Sequence, residues 1–167
     1  MQTLTELKTN LDKQKELYIQ IAELETEKGE AIAARSIKAL ESVTQREESI
    51  VNEIAALEDE RLYTAWLYTD AHGLAADASL REIAATLDNN NSAFGEKLLE
   101  AGQGLKRAVL RVKHLNETNE SLMQSNMSFF EGLLNGLKEL TGLKTGYNKD
   151  GLDNSRVVRS ALFNTTA

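Results

Sequence analysis

Apolar residues recur every three or four positions from the start of the chain, at Leu4, Leu7, Leu11, Leu17 or Tyr18, Ile21 and Leu24. That spacing predicts an amphipathic helix starting near Thr3 or Thr5. Glu25 and Lys28 hold the next positions of the register, and there the stripe is expected to end. A second stripe opens at Ile37 and runs through Leu40, Val43, Ile50, Ile54 and Leu57 to Leu62 and Trp66, one position out of phase with the first. The phase change puts a break between Gly29 and Ser36, with Ser36 as the N-cap. A continuous helix is the alternative, because Glu30-Ala31-Ile32-Ala33-Ala34 is itself good helix material.

Residues 70–79 read as a connection. Ser79 and Glu82 then have the spacing of a capping box, which predicts a short helix from Leu80 to about Leu87. Asp88-Asn89-Asn90-Asn91-Ser92 is turn chemistry. The last helix dominates the pattern. Leu98, Ala101, Leu105, Ala108, Val112, Leu115, Asn119, Leu122, Asn126, Phe129 and Leu133 alternate spacings of three and four without a slip, the heptad seam of a left-handed bundle or coiled coil. From Ser92 to Thr141 such a helix would be roughly 75 Å long. Gly142 is its natural stop, and Gly146-Tyr147-Asn148-Lys149-Asp150-Gly151 is a further turn. The fold expected is all-α: an elongated antiparallel bundle or coiled coil of three long helices plus one short helix over residues 1–143, with a turn and flexible C-terminal tail over 144–167.

Composition narrows the function. Proline is absent, so nothing forces a helix to stop, and the absence of cysteine removes disulfides and thiolate chemistry. The first residues carry neither a basic region nor an apolar run of the secretory kind. The longest charge-free stretch, Ser121 to Phe130, is far too short to span a membrane. A cytoplasmic protein with no membrane insertion is expected. The net charge of −7 falls entirely on residues 1–70, with 15 acidic and 8 basic groups. That acidic half argues against nucleic acid, and Lys106, Arg107, Arg111 and Lys113 read as a solvated basic face.

Enzyme chemistry does not assemble. His72 and His114 are the only histidines, and neither follows a glutamate at the spacing of a di-iron bundle. A histidine phosphotransfer bundle would need a helix-borne, exposed histidine with a nearby lysine and small residues around it; His72 sits in a connector beside Gly73, and His114 has Lys113 beside it but is expected to point toward the seam. No glycine-rich phosphate loop followed by lysine occurs. The expectation is a binding protein with no catalytic residue, metal or cofactor.

The stretch Met127-Ser128-Phe129-Phe130-Glu131-Gly132-Leu133-Leu134-Asn135-Gly136-Leu137 points to what is bound. Apolar residues double up at 129/130 and 133/134, widening the seam. Gly132 and Gly136 each cost about 1 kcal/mol of helix propensity relative to Ala. If helix two and the last helix are antiparallel, the far end of helix two near Ser36 should face roughly residue 127. The widened face, Leu122, Asn126, Phe129, Phe130, Leu133, Leu134 and Leu137, is then the candidate partner-binding site. The competing arrangement has helix one extending to cover it. Asn119 and Asn126 are expected to set register, as buried polar residues do in coiled coils.

With these residues in view, the chain resembles the FlgN family of flagellar type III export chaperones over residues 4–151. The resemblance rests on Ser79-Leu80-Arg81-Glu82-Ile83, on Leu115-Asn116-Glu117-Thr118-Asn119-Glu120-Ser121-Leu122, which looks like a Leu-Asn-x-x-Asn-x-x-Leu signature, and on Tyr147-Asn148-Lys149-Asp150-Gly151, which looks like a Tyr-x-x-x-Gly turn. Asn148 stands where that family commonly has glycine. The resemblance implies a cytoplasmic chaperone that binds hook–filament junction proteins through their C-terminal helical segments and keeps them unpolymerised. It also implies docking at the cytoplasmic domain of the export gate, with Tyr147 as the gate contact. A client-free coiled-coil scaffold is the alternative.

Overall fold

A computed structural model describes residues 1–87 and 91–141 of the chain, with backbone alone for Phe130, Leu133, Leu134 and residues 136–141. Four helices follow in order: α1 (Gln2–Ala33), α2 (Ile37–Ala71), α3 (Leu80–Ala85) and α4 (Ser92–Thr141), with no strand among the described residues. Three long helices and one short one form the all-α fold expected from the pattern. Most of the turn at 88–92, the Gly142 stop, the Tyr147 turn and the tail from 144 onward lie outside the described residues. The chain divides into two units, Met1–Asn126 and Met127–Ala167. The described part of the second unit is helix throughout, the closing stretch of α4.

Within the first unit, α1 and α2 are separate helices, so the continuous alternative falls. The break sits where the phase change put it. Arg35 adopts a left-handed φ of 54°. The Ser36 N–H donates to the Ala31 carbonyl and the Arg35 N–H to that of Ile32, the paired bonds of a Schellman stop. Ser36 then caps α2, its side chain accepting from the Ala39 N–H at 3.3 Å. Placing a residue with a Cβ in the left-handed region costs about 1–2 kcal/mol, so the reversal is held by its capping bonds rather than by a glycine.

Hydrogen bonds between helices fix their directions. Asn10 donates to the Leu57 carbonyl at 2.9 Å, and Arg46 reaches back to Glu27, so α2 runs antiparallel to α1. Asn119 donates to the Glu25 carbonyl and Asn126 to the Ile32 carbonyl, each across 94 residues, so α4 runs parallel to α1 at constant register. Thus α1 lies between two seams. One apolar cluster joins Leu4, Leu7, Leu11, Tyr68, Leu98 and Ala101 to Ile83, the single buried residue of α3. A second joins Leu17, Ile21 and Ile54, with Val112 of α4 against them. Burying each such side chain contributes about 1.5–3 kcal/mol.

α3 begins with the expected capping box: Ser79 accepts from the Glu82 N–H while Glu82 Oε2 accepts from the Ser79 N–H at 2.7 Å. It ends at Ala85, two residues early, because the Thr86 and Leu87 N–H groups bond three residues back instead of four.

Two stripes differ from the pattern reading. The first does not end at Glu25 and Lys28: α1 continues to Ala33, with Glu25, Ala31 and Ile32 all buried. Polar residues there occupy the seam because they pair across it. The second stripe does not veer to Leu62 and Trp66, which are 53% and 47% exposed. The inward face of α2 runs instead through Leu57, Arg61, Thr64 and Tyr68. Arg61 takes a seam position by tying its guanidinium to Glu58 at 2.7 and 2.6 Å. Ile37, first of the second stripe, is 82% exposed because it sits in the opening turn of α2 beside the reversal.

Candidate functional site

The seam turns polar where α1 nears its end. Asn119 Nδ2 donates to both the Glu25 carbonyl and Glu25 Oε2 at 2.7 Å, and Asn116 adds a longer bond to Glu25 Oε1. Lys28 bridges the other way, 2.8 Å from Glu25 Oε1 and 2.5 Å from Glu47 Oε2 on α2. One cation and two carboxylates therefore link all three long helices. Burial pulls the Lys28 ammonium down, yet its bonds and charges to Glu25 and Glu47 outweigh that and hold it above its ordinary value. Burial pushes the Glu47 carboxyl up, and the Lys28 hydrogen bond only partly offsets it. Glu47 Oε1 has no hydrogen-bond partner among the described residues.

This cluster is fitted to the backbone as well as to charge. A Cβ built at Gly29 would lie 2.6 Å from Asn119 Oδ1, inside any real contact. The absence of a side chain at Gly29 is what lets the Asn119 amide lie against α1. That is the register role expected of Asn119, carried out through a carboxylate and a carbonyl. Glu25, Lys28, Ile32, Asn116, Asn119 and Met123 line a shallow groove over it.

Asn126 comes at the last residue of the first unit. It is half-buried and donates to the Ile32 carbonyl at 2.9 Å, next to the α1–α2 reversal. This matches the counting argument that placed the Ser36 end of α2 near residue 127. Beside Asn126 on α4, Leu122 and Met123 are 39% and 42% exposed. In the second unit, Met127 and Phe129 are 60% and 51% exposed. A Cβ at Gly132 would meet nothing within 4 Å. The side chains of Phe130, Leu133, Leu134 and Leu137, and all of Tyr147, lie outside the described residues.

The two histidines lie on different elements. His72 caps α2, its ring stacked on Tyr68 at 3.9 Å with Nδ1 2.8 Å from the Tyr68 carbonyl. His114 is exposed on α4, not turned toward the seam as its place beside Leu115 suggested. Among the described residues no group of three His, Asp or Glu side chains is placed to hold a metal ion. No described helix is long and apolar enough to cross a membrane.

Comparison with known proteins adds one finding. The family model described as FlgN protein matches residues 1–155, nearly the whole chain. No curated protein and no solved structure matches.

Proposed function

The chain belongs to the FlgN family of flagellar export chaperones, and from that premise we propose that it binds hook–filament junction proteins and carries them to the export gate in the cytoplasm. The client site is the apolar face of the last part of α4, comprising Leu122, Asn126, Phe129, Phe130, Leu133, Leu134 and Leu137. The observation that supports it is the exposure of Leu122, Met123, Met127 and Phe129 on α4, on a helix whose earlier seam residues, Leu98, Ala101 and Ala108, are buried. Large apolar side chains left open in series mark a partner surface.

The client chemistry follows from the surface. An apolar helical face takes up an amphipathic helix, and a disordered export substrate supplies one by folding as it binds. The C-terminal helical segments of the junction proteins fit that description. Holding them covers the surface by which they would polymerise. Tyr147 makes the gate contact, and residues 144–167 form a tail separate in role from the bundle of 1–143.

The test is calorimetric titration of junction-protein C-terminal segments into the chain and into Phe129→Ala/Phe130→Ala/Leu133→Ala. Each buried side chain is worth about 1.5–3 kcal/mol, so the triple variant should lose several orders of magnitude in affinity with its melting temperature nearly unchanged. Equal affinity, or collapse of the free protein, removes these residues from the client site.

A further inference from the structure

The seam of α2 leaves an apolar cluster on the opposite side of that helix. Leu62, Tyr63, Trp66 and Leu67 are 53%, 60%, 47% and 41% exposed. The Tyr63 and Trp66 rings lie tilted with centroids 6.0 Å apart. Asp59 and Asp70, one turn to either side, are exposed and share this face. The sole cation of α2 between residues 47 and 71 is Arg61, and both its bonds go to Glu58. The face is therefore aromatic in its middle and acidic at both ends.

None of these side chains belongs to either apolar cluster of the described residues. Tyr68 and Ile54 carry the inward packing of α2, and the exposed residues fall on the far side of the helix from them. Nor does the face belong to the client site. Asn10 meets Leu57 near the start of α1, whereas Asn126 meets Ile32 near its end. Twenty-two residues of helix, roughly 33 Å, separate those levels. A Trp and a Tyr held together in the open are the residue types that anchor protein contacts.

We propose that this face of α2 is a second docking surface, and that its occupant is a short helix of a partner protein presenting apolar residues flanked by Lys and Arg. The acidic ends select the charge, and the apolar middle selects the amphipathic partner. Size selects a single helix. Four side chains at about half exposure offer on the order of 400 Å², half of what each side of a stable dimer buries. A second copy could present the basic face of α4, where Leu110 is 54% exposed among Lys106, Arg107 and Lys113. Pairing unlike faces would leave one of each open at the ends of a growing chain, so the second copy is the weaker occupant. The inference stands apart from the client reading, since it needs none of the α4 residues. It gives the chaperone a contact it can make while a client is held.

Trp66 is the only tryptophan of the chain, so its emission reports the face directly. The probe is a synthetic amphipathic helical peptide without Trp, carrying a Leu stripe flanked by Lys and Arg, beside a counterpart with Glu at the basic positions. Titrating the basic peptide into the full chain should shift Trp66 emission to the blue, saturably and less at high salt, and the acidic peptide should not. Leu62→Ser/Tyr63→Ser, which keeps the reporter, should weaken binding at least tenfold with helicity unchanged. Asp59→Lys/Asp70→Lys should do the same. An unmoved Trp66, equal response to both peptides, or undiminished binding by the Ser variant overturns the proposal. So does a blue shift that follows protein concentration alone together with a dimer in sedimentation, which would assign the face to self-association. Phe129→Ala/Phe130→Ala/Leu133→Ala should bind the basic peptide as the wild type does.

Discussion

Gly29→Ala sets two known quantities against each other. Ala in a helix interior is favoured over Gly by about 1 kcal/mol, and Gly29 is helical, four residues before the end of α1 at Ala33. By propensity alone the substitution stabilises. The added methyl would, however, fall 2.6 Å from Asn119 Oδ1, and Asn119 is not free to yield. It is 6% exposed and held by two 2.7 Å bonds to Glu25, one to the carbonyl and one to the carboxylate. Moving the amide sacrifices a neutral bond of about 1 kcal/mol and a charge-assisted one of about 1.5–3 kcal/mol. The net is a loss of about 1.5–3 kcal/mol. At about 2–4 °C per kcal/mol for a chain of this size, the melting temperature should fall by roughly 3–12 °C. Urea and thermal unfolding followed at 222 nm measure it. The second arm is a double-mutant cycle. On an Asn119→Ala background the clash is gone, and Gly29→Ala should then gain its full propensity of about 1 kcal/mol. A single variant at least as stable as the wild type, or a penalty that survives the loss of Asn119, would refute the reasoning.

Lys28→Met leaves Glu25 and Glu47 facing each other without their shared cation, and should cost of the order of 3 kcal/mol in denaturant unfolding at neutral pH. The Glu47 carboxyl, pushed above the ordinary 4.5 by burial, binds a proton in the folded chain before the unfolded one does. Its contribution to stability therefore improves as pH falls through the window just above 4.5. Comparison with Glu47→Gln from pH 7 to 4.5 should show the wild type gaining on the variant. Glu58, held below its ordinary value chiefly by the Arg61 hydrogen bond, acts in the opposite sense, its stabilisation being lost as pH falls below 4.5. Tyr147→Ala should bind client segments as tightly as the wild type by calorimetry yet fail to promote junction-protein secretion in cells. Unchanged secretion would remove Tyr147 from delivery.

The caps were readable because each is a local event. Ser36 and the Ser79–Glu82 pair bond their own helix within three residues, so the sequence around them contains the whole interaction. The α4 seam was readable because its apolar residues keep strict phase as far as Val112. The two misread stretches share one cause. At Glu25 and Lys28 in α1, and at Arg61 and Thr64 in α2, the inward position is polar, and a pattern built on apolar spacing steps around it. What makes those positions tolerable lies elsewhere: Asn119 and Glu47 for the first, a neighbouring glutamate for Arg61. Following apolar spacing moved Leu62 and Trp66 into the core and hid the face they form. Asn119 was recognisable as a register residue, but not that Gly29 must be bare beneath it, because that contact joins residues 90 apart.

The parallel run of α4 beside α1 has a consequence for how the chain assembles. α1 and α2 are joined by a reversal of a few residues, so their hairpin closes at little entropic cost and is complete before α4 has been synthesised. The α1–α4 bonds instead close spans of 91 to 94 residues. With the hairpin already closed, what remains for α4 to close is the connection over residues 72–91, which adds about 0.6 kcal/mol relative to a ten-residue loop. α4 should therefore be last to arrive, and the helix whose amides exchange hydrogen first from the native state. A nascent chain would present a finished hairpin awaiting its third helix.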